Sequence, residues 1–138
     1  MVDRDVITAK IATIDRCLDR ITETRGERSA VLLPIEVEDI VVLNLQRAVQ
    51  AAIDLATHVV TAEGYALPDS VAAFFTALEE RGIVDPRLAE RLRRMVGVRN
   101  IAIHDYQALD LRVVEAIVTR HLDDLRDFAA RLVERFSP

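Results

Sequence analysis

The densest group of chemically reactive side chains is the segment from Arg99 to Tyr106. It places a guanidinium (Arg99), an amide (Asn100), an imidazole (His104), a carboxylate (Asp105) and a phenol (Tyr106) within eight residues. In an α-helix, which turns by about 100° per residue, Arg99 and His104 border an arc of roughly 140° that contains Asn100. Tyr106 returns to within roughly 20° of Arg99 if the helix continues that far. The spacing therefore predicts one surface that displays a cation, a base and a hydroxyl.

These side chains suit the cleavage of RNA. RNA carries its own nucleophile, the 2′-hydroxyl, so an enzyme needs a base that removes its proton and a cation that stabilises the charged phosphorane. The unperturbed pKa of histidine lies near neutrality, and an arginine can contact two phosphate oxygens at once. His104 and Arg99 are the candidates for these two roles, and the chemistry requires no metal or cofactor. The chain has no glycine-rich phosphate loop, paired-cysteine motif or nucleophile elbow.

A purely structural interpretation competes with this one. His104 and Asp105 could cap the end of a helix, and Arg99 could form a surface ion pair. Because a histidine and an arginine five residues apart often arise by chance, spacing alone favours this alternative.

The composition is typical of one helical domain that spans residues 1–138. Hydrophobic residues make up 51% of the chain and charged residues 30%, with only 4 glycines and 4 prolines. The single cysteine, Cys17, excludes an intramolecular disulfide and a cysteine-based zinc site, and its apolar surroundings predict a buried thiol. We find neither a membrane-spanning segment nor a signal peptide, so we expect a cytoplasmic protein.

The charge distribution restricts how nucleic acid could bind. The net charge of −5 argues against indiscriminate binding to phosphate backbones, which depends on clustered lysine and arginine. One local cluster could still meet a phosphate backbone, although helices rich in arginine and glutamate are usually solvated. Its members are Arg87, Arg91, Arg93, Arg94 and Arg99.

Apolar residues recur at helical spacing throughout, with no strand-like alternation. We predict an all-α, up-and-down bundle of four main helices plus a shorter extra helix. Asp85 followed by Pro86 is the clearest helix start, because aspartate caps helices and proline suits their first position. The segment from Arg99 to Tyr106 then lies at the C-terminal end of the fourth helix. We expect helices at about 3–25, 36–62, 70–81 and 111–136, and a further helix, the fourth along the chain, that starts at 86 and runs into the segment 99–106.

The second predicted helix carries a polar stripe on an otherwise apolar surface. Its members are Asn44, Arg47, Asp54 and His58. A helix that is apolar on most sides is surrounded by protein, so the stripe could line a cleft. Asp54 lies four residues before His58 and could orient its imidazole, either as part of a site or as a satisfied local pair.

Two segments resemble the HEPN superfamily, and specifically HepT-like ribonuclease toxins. One is the pattern Arg99-x4-His104-x-Tyr106, and the other is the segment 44–58 of the second helix. The resemblance implies a metal-independent endoribonuclease in which His104 is the general base and Arg99 stabilises the scissile phosphate. Asn100, Asp105 and the residues of the polar stripe would be auxiliary.

The resemblance also implies partners. HepT-like proteins form homodimers with a shared cleft, so an isologous homodimer that binds RNA is expected. The usual antitoxin is MntA, a minimal nucleotidyltransferase, and the family resemblance makes Tyr106 the acceptor of the transferred AMP. Two alternatives stay open: a non-catalytic HEPN module that binds a nucleotidyltransferase or its substrate, and a helical dimerisation protein whose motif is only a cap.

Overall fold

The computed structural model describes residues 1–136 and contains helices and no strand over that range, which confirms the all-α prediction. Two short 3-10 turns, Glu27–Ala30 and Tyr106–Ala108, lie between helices. The α-helices are α1 (Arg4–Arg25), α2 (Pro34–Ala62), α3 (Ala73–Glu80), α4 (Pro86–His104), α5 (Leu111–Arg120) and α6 (Leu122–Phe136).

Helix α2 is the centre of the bundle. It packs against α1, α3, α4 and α6, and buried side chains occupy most of its circumference. The alanines Ala48, Ala52 and Ala56 recur every four residues and are fully or almost fully buried. Because alanine side chains are short, neighbouring helices can approach α2 closely along this stripe. The central position of α2 makes it a rigid support for polar residues on its remaining face.

Aspartates cap three of the helices, among them the predicted cap Asp85. The carboxylates of Asp3, Asp85 and Asp110 accept hydrogen bonds from the backbone N–H groups of the first turns of α1, α4 and α5. Pro34 and Pro86 occupy the first positions of α2 and α4, where the missing N–H has no helical partner to lose.

The prediction of one continuous fifth helix over 111–136 is wrong, because the helix is interrupted at His121. His121 adopts φ −125° and ψ 6°, which separates α5 from α6. The buried Asp124 lies in the first turn of α6, where it pairs with Arg91 of α4 at 3.1 Å. The break lets α6 turn towards the core, where the ring of Phe128 contacts that of Phe75 at 5.5 Å between centroids.

Three smaller findings complete the fold. Helix α3 begins at Ala73 rather than near residue 70, with the Ser70 hydroxyl accepting a hydrogen bond from the Ala73 N–H. Cys17 is buried, as predicted. Within residues 1–136, every helix is too short or too polar to cross a bilayer.

Candidate active site at the end of helix α4

Arg99 is half-buried on the side of α4 that faces α2, and two neutral amides hold its guanidinium. Its Nη2 donates to Oε1 of Gln50 on α2 at 2.7 Å, and its Nη1 donates to Oδ1 of Asn100. The buried Nε has no partner among the described residues. The guanidinium is therefore fixed at two points while part of its hydrogen-bonding capacity stays unused.

Behind Gln50, two further side chains fix the orientation of its amide. Gln50 Nε2 donates to Oδ1 of Asp54 at 2.9 Å, and Lys10 Nζ donates to the other oxygen of Asp54 at 2.9 Å. A carboxylate can only accept, so Asp54 draws the NH2 group of Gln50 towards itself and leaves the amide oxygen for Arg99. Side chains of α1, α2 and α4 thus form one continuous hydrogen-bonded chain that ends at Arg99.

The charge of Arg99 is not neutralised within residues 1–136, because no carboxylate lies within ion-pair distance of its guanidinium. The alternative that Arg99 forms a surface ion pair is therefore wrong. Most of the arginine cluster on α4 behaves differently. Its paired members are Arg91 with Asp124 at 3.1 Å, Arg93 with Glu79 at 3.0 Å and Arg94 with Glu90 at 2.8 Å.

His104 is the last residue of α4, and its side chain is exposed. No hydrogen bond among residues 1–136 involves its imidazole or the Asp105 carboxylate, so neither side chain caps the helix. A backbone bond does so instead, from Asp105 N to Ile101 O at 2.8 Å. Asn100 lies one turn before His104 on the same helical face, as the spacing predicted.

Tyr106 does not lie on α4, so the condition under which it would return to the face of Arg99 is not met. Asp105 leaves the helix with φ −154°, and Tyr106 begins a 3-10 turn. Its hydroxyl donates to Oδ1 of Asp39 on α2 at 3.0 Å. Burial raises the pKa of Tyr106, and the hydrogen bond and charge of Asp39 and the charge of Glu38 raise it further.

The predicted polar stripe of α2 does not line one cleft. Asn44 and the exposed Arg47 border a groove against α1. Burial raises the pKa of Cys17 in this groove, and the charge of Arg47 lowers it in part. The predicted pairing of Asp54 with His58 is wrong, because His58 Nε2 accepts from the backbone N–H of Asp3 at 2.9 Å. Of the stripe, only Asp54 is connected to Arg99.

The sequence interpretation missed three contributors: Gln50, Lys10 and Asp39. Gln50 carried a usable signal, since it lies four residues before Asp54 and therefore on the same face of α2. Lys10 and Asp39 carried none, because their partners are 44 and 67 residues away in sequence. Only the packing of α1 and α4 on α2 brings these groups together.

The arrangement can bind a phosphate and move a proton. Arg99 offers an unneutralised guanidinium, Asn100 a neutral polar contact and His104 a titratable base that faces solvent. Among residues 1–136, no three His, Cys, Asp or Glu side chains are grouped so that they could hold a metal ion. These groups are those that cleavage of a phosphodiester by an internal hydroxyl uses.

Comparison with known proteins identifies the family of this chain. The family described as "Ribonuclease HepT-like" matches residues 14–132. A relative from Shewanella oneidensis, named mRNA nuclease HepT, is 41% identical over 124 residues, which are 90% of this chain and 93% of the relative.

Solved structures show the same fold. A toxin-antitoxin complex with AMP-PNP contains a chain that is 38% identical, with a TM-score of 0.87 over 94% of this chain and 98% of the other. A tri-AMPylated Shewanella oneidensis HEPN toxin in complex with MNT antitoxin is 39% identical, with a TM-score of 0.86 and the same coverage. YutE from Bacillus subtilis, 16% identical with a TM-score of 0.79 over 99% of this chain and 95% of its own, shares the fold. The family match over residues 14–132 and the 41% identical relative together show that this chain belongs to the HepT-like ribonuclease family of the HEPN superfamily.

Proposed function

We propose that this protein is the ribonuclease toxin of a toxin-antitoxin pair and cleaves RNA without a metal ion. The observation that carries the proposal is the state of Arg99. Neutral amides position its guanidinium, and no carboxylate within residues 1–136 neutralises it. The imidazole of His104, which makes no hydrogen bond within that range, lies close to Arg99 in the sequence. The naming of a relative as an mRNA nuclease supports the choice of substrate.

In the proposed reaction, His104 removes the proton from the 2′-hydroxyl next to the scissile phosphate. The 2′-oxygen attacks phosphorus, and the bond to the 5′-oxygen of the next nucleotide breaks. The leaving oxygen takes a proton from water, so the products are a cyclic phosphate and a free 5′-hydroxyl. Arg99 stabilises the additional negative charge on the phosphorane, which is greatest in the transition state. Asn100 holds the guanidinium in place and lies on the face of α4 that carries His104.

The proposed assembly is a homodimer in which the ends of two α4 helices share one cleft. Ile101 and Ile103 lie within the motif, between Arg99 and His104, and are each 43% exposed, and Leu43 of α2 is 42% exposed. A second copy that covered these side chains would remove apolar surface from water. Light scattering at micromolar concentration tests the assembly, and a monomer mass would contradict the shared cleft.

The proposed control is transfer of AMP to Tyr106 by an MntA-like nucleotidyltransferase antitoxin. Tyr106 is 45% exposed and lies two residues after His104, so its hydroxyl is accessible to a partner. The adduct carries a negatively charged phosphate, which opposes the approach of RNA once the modified ring leaves Asp39 and moves towards Arg99. The description of a HEPN toxin relative as tri-AMPylated in complex with its antitoxin supports this mode of control.

Cleavage of RNA in the presence of a chelator tests the enzymatic proposal. We expect the wild-type protein to cut, and Arg99→Ala and His104→Ala to lose at least about 100-fold in rate. Arg94→Ala is the matched control, because Arg94 lies on the same helix and its charge is already paired with Glu90. Equal cleavage by all four proteins would refute the assignment of Arg99 and His104. If none cuts RNA but Tyr106 still accepts AMP, the non-catalytic alternative is favoured.

A further inference from the structure

We infer that Asp39 is the general base that accepts the phenolic proton of Tyr106 when AMP is transferred to it. The inference rests on the proposed modification of Tyr106. It assigns a catalytic role within the transfer reaction to a residue of the acceptor protein itself.

The geometry already matches that of a nucleophile and its base. Tyr106 Oη donates to Asp39 Oδ1 at 3.0 Å, a distance within the range over which a general base acts. Asp39 lies in the second turn of α2, the best-packed helix, whereas Tyr106 is on a short 3-10 turn. The hydrogen bond therefore ties a hydroxyl on a connecting segment to a rigid element and fixes the direction of its O–H bond.

The electrostatics explain why a base is needed. A tyrosine hydroxyl of ordinary pKa, about 10, is protonated at neutral pH, and burial and the neighbouring carboxylates raise the pKa of Tyr106 further. A neutral phenol is a weak nucleophile, and an adjacent base activates it by taking the proton as the new bond forms. Asp39 is the carboxylate that contacts this hydroxyl, whereas Glu38 acts on it only through its charge.

Transfer of AMP to Tyr106 requires no reactant other than ATP, with the transferase as catalyst. The Tyr106 oxygen forms a bond to the α-phosphorus of ATP, and the bond from that phosphorus to the bridging oxygen of pyrophosphate breaks. Pyrophosphate leaves with the electron pair, and the phenolic proton passes to Asp39. Because the Asp39 side chain is exposed, it returns this proton to water. The product has no O–H to donate to Asp39, so the contact that held Tyr106 against α2 is lost.

Single-turnover AMP transfer tests the role of Asp39. The full-length protein is mixed with its cognate nucleotidyltransferase and radiolabelled ATP, and label on Tyr106 is followed by peptide mass analysis. In Asp39→Asn, an amide oxygen still accepts the hydrogen bond but cannot take the proton, so we expect the rate to fall about 100-fold or more. Glu38→Gln is the matched control, since it removes an equal charge from the adjacent position, and its rate should stay within a few-fold of wild type.

Two further readouts separate a base from a merely structural residue. Hydroxide can replace the missing base, so the ratio of the wild-type rate to the Asp39→Asn rate should fall as pH rises from 6 to 9, at about tenfold per pH unit or less. Asp39→Glu restores a carboxylate and should recover part of the rate. Thermal unfolding monitored by circular dichroism checks that each variant is folded.

The outcomes distinguish this inference from the function on which it rests. If wild-type Tyr106 accepts AMP and Asp39→Asn does so at the Glu38→Gln rate, Asp39 is not the base and the modification stands. A pH-independent ratio would likewise overturn the base, whatever its size. If wild-type Tyr106 receives no AMP, the modification and the role of Asp39 both fail.

Discussion

Replacing Gln50 by glutamate separates the charge of Arg99 from its position. The substituted side chain keeps the length of the original and still offers an oxygen at the place where Gln50 now accepts from Arg99 Nη2 at 2.7 Å. It differs in carrying a negative charge, which pairs the guanidinium with an anion. If the proposal is correct, a well-positioned but neutralised Arg99 should bind the phosphate poorly.

The size of the effect follows from the geometry. Two unit charges about 4 Å apart interact by about 4 kcal/mol at an effective dielectric constant of about 20. Arg99 and Gln50 are both half-buried, so solvent screening reduces this figure to about 1–2 kcal/mol. Because about 1.4 kcal/mol corresponds to a factor of ten, we expect kcat/KM for RNA cleavage to fall about 5- to 30-fold.

Gln50→Leu is the matched control, because it removes both hydrogen bonds without adding charge. It should also lower activity, since Arg99 loses an orienting contact and Asp54 loses a donor. The new carboxylate in Gln50→Glu lies four residues before Asp54, and repulsion between the two carboxylates costs about 0.5 kcal/mol of stability. The positive charge of Lys10, which is bonded to Asp54, offsets part of this cost. Steady-state cleavage and urea unfolding are measured together. Activity of Gln50→Glu at or above the wild-type level would refute the argument that the unpaired charge of Arg99 matters.

Two predictions concern titration. The first uses a Tyr65→Phe background, which leaves Tyr106 as the remaining tyrosine. The absorbance of its phenolate should titrate above the ordinary pKa of about 10. Adding Asp39→Asn should move the midpoint part of the way towards that ordinary value. An unchanged midpoint would show that Asp39 does not contact the hydroxyl in solution. The second concerns Asp110, whose pKa is lowered by its hydrogen bonds to Arg112. Its stabilising contribution is present above the unfolded-state pKa and is lost as pH falls through the lower folded value. Asp110→Ala should therefore lower Tm at pH 7 but have little effect near pH 2, and an equal loss at both values would contradict the capping role.

Local signals in the sequence were sufficient to predict most helix boundaries. The N-caps Asp3, Asp85 and Asp110 act through bonds to the next few residues, so they can be identified without knowledge of the fold. The break at His121 could not be predicted, since the apolar periodicity continues across it and no proline or glycine marks it. It coincides with the tertiary pairing of Asp124 and Arg91, which lie 33 residues apart.

The candidate site shows the same division between local and tertiary information. Arg99, Asn100 and His104 could be placed together from helical spacing, because they share one helix. The polar stripe of α2 also shares one helix, but the neighbouring segments divide its members between different partners. Asp54 consequently bonds to Lys10 and Gln50, while His58 bonds to the N-terminal segment. Helical spacing predicts which residues share a face, whereas the neighbouring helices decide what that face contacts.

Helix α2 contacts both ends of the site, and the distance between the two contacts limits how AMP on Tyr106 could inhibit RNA cleavage. Its Gln50 binds Arg99 and its Asp39 binds Tyr106, so the two anchors lie eleven residues apart on nearly the same face. That separation is about 16 Å along the helix axis. It exceeds the Debye length of about 8 Å at physiological ionic strength, so a phosphate on Tyr106 in its observed position would act only weakly on a ligand at Arg99. Loss of the bond to Asp39 would free the Tyr106 ring to move towards Arg99. An adduct of several AMP groups would also be long enough to span the distance to Arg99. Inhibition should therefore increase with the number of AMP groups per chain, measured as residual RNA cleavage by fractions separated by mass. Full inhibition by a single AMP in a protein whose Tyr106 ring stays beside Asp39 would contradict this reasoning.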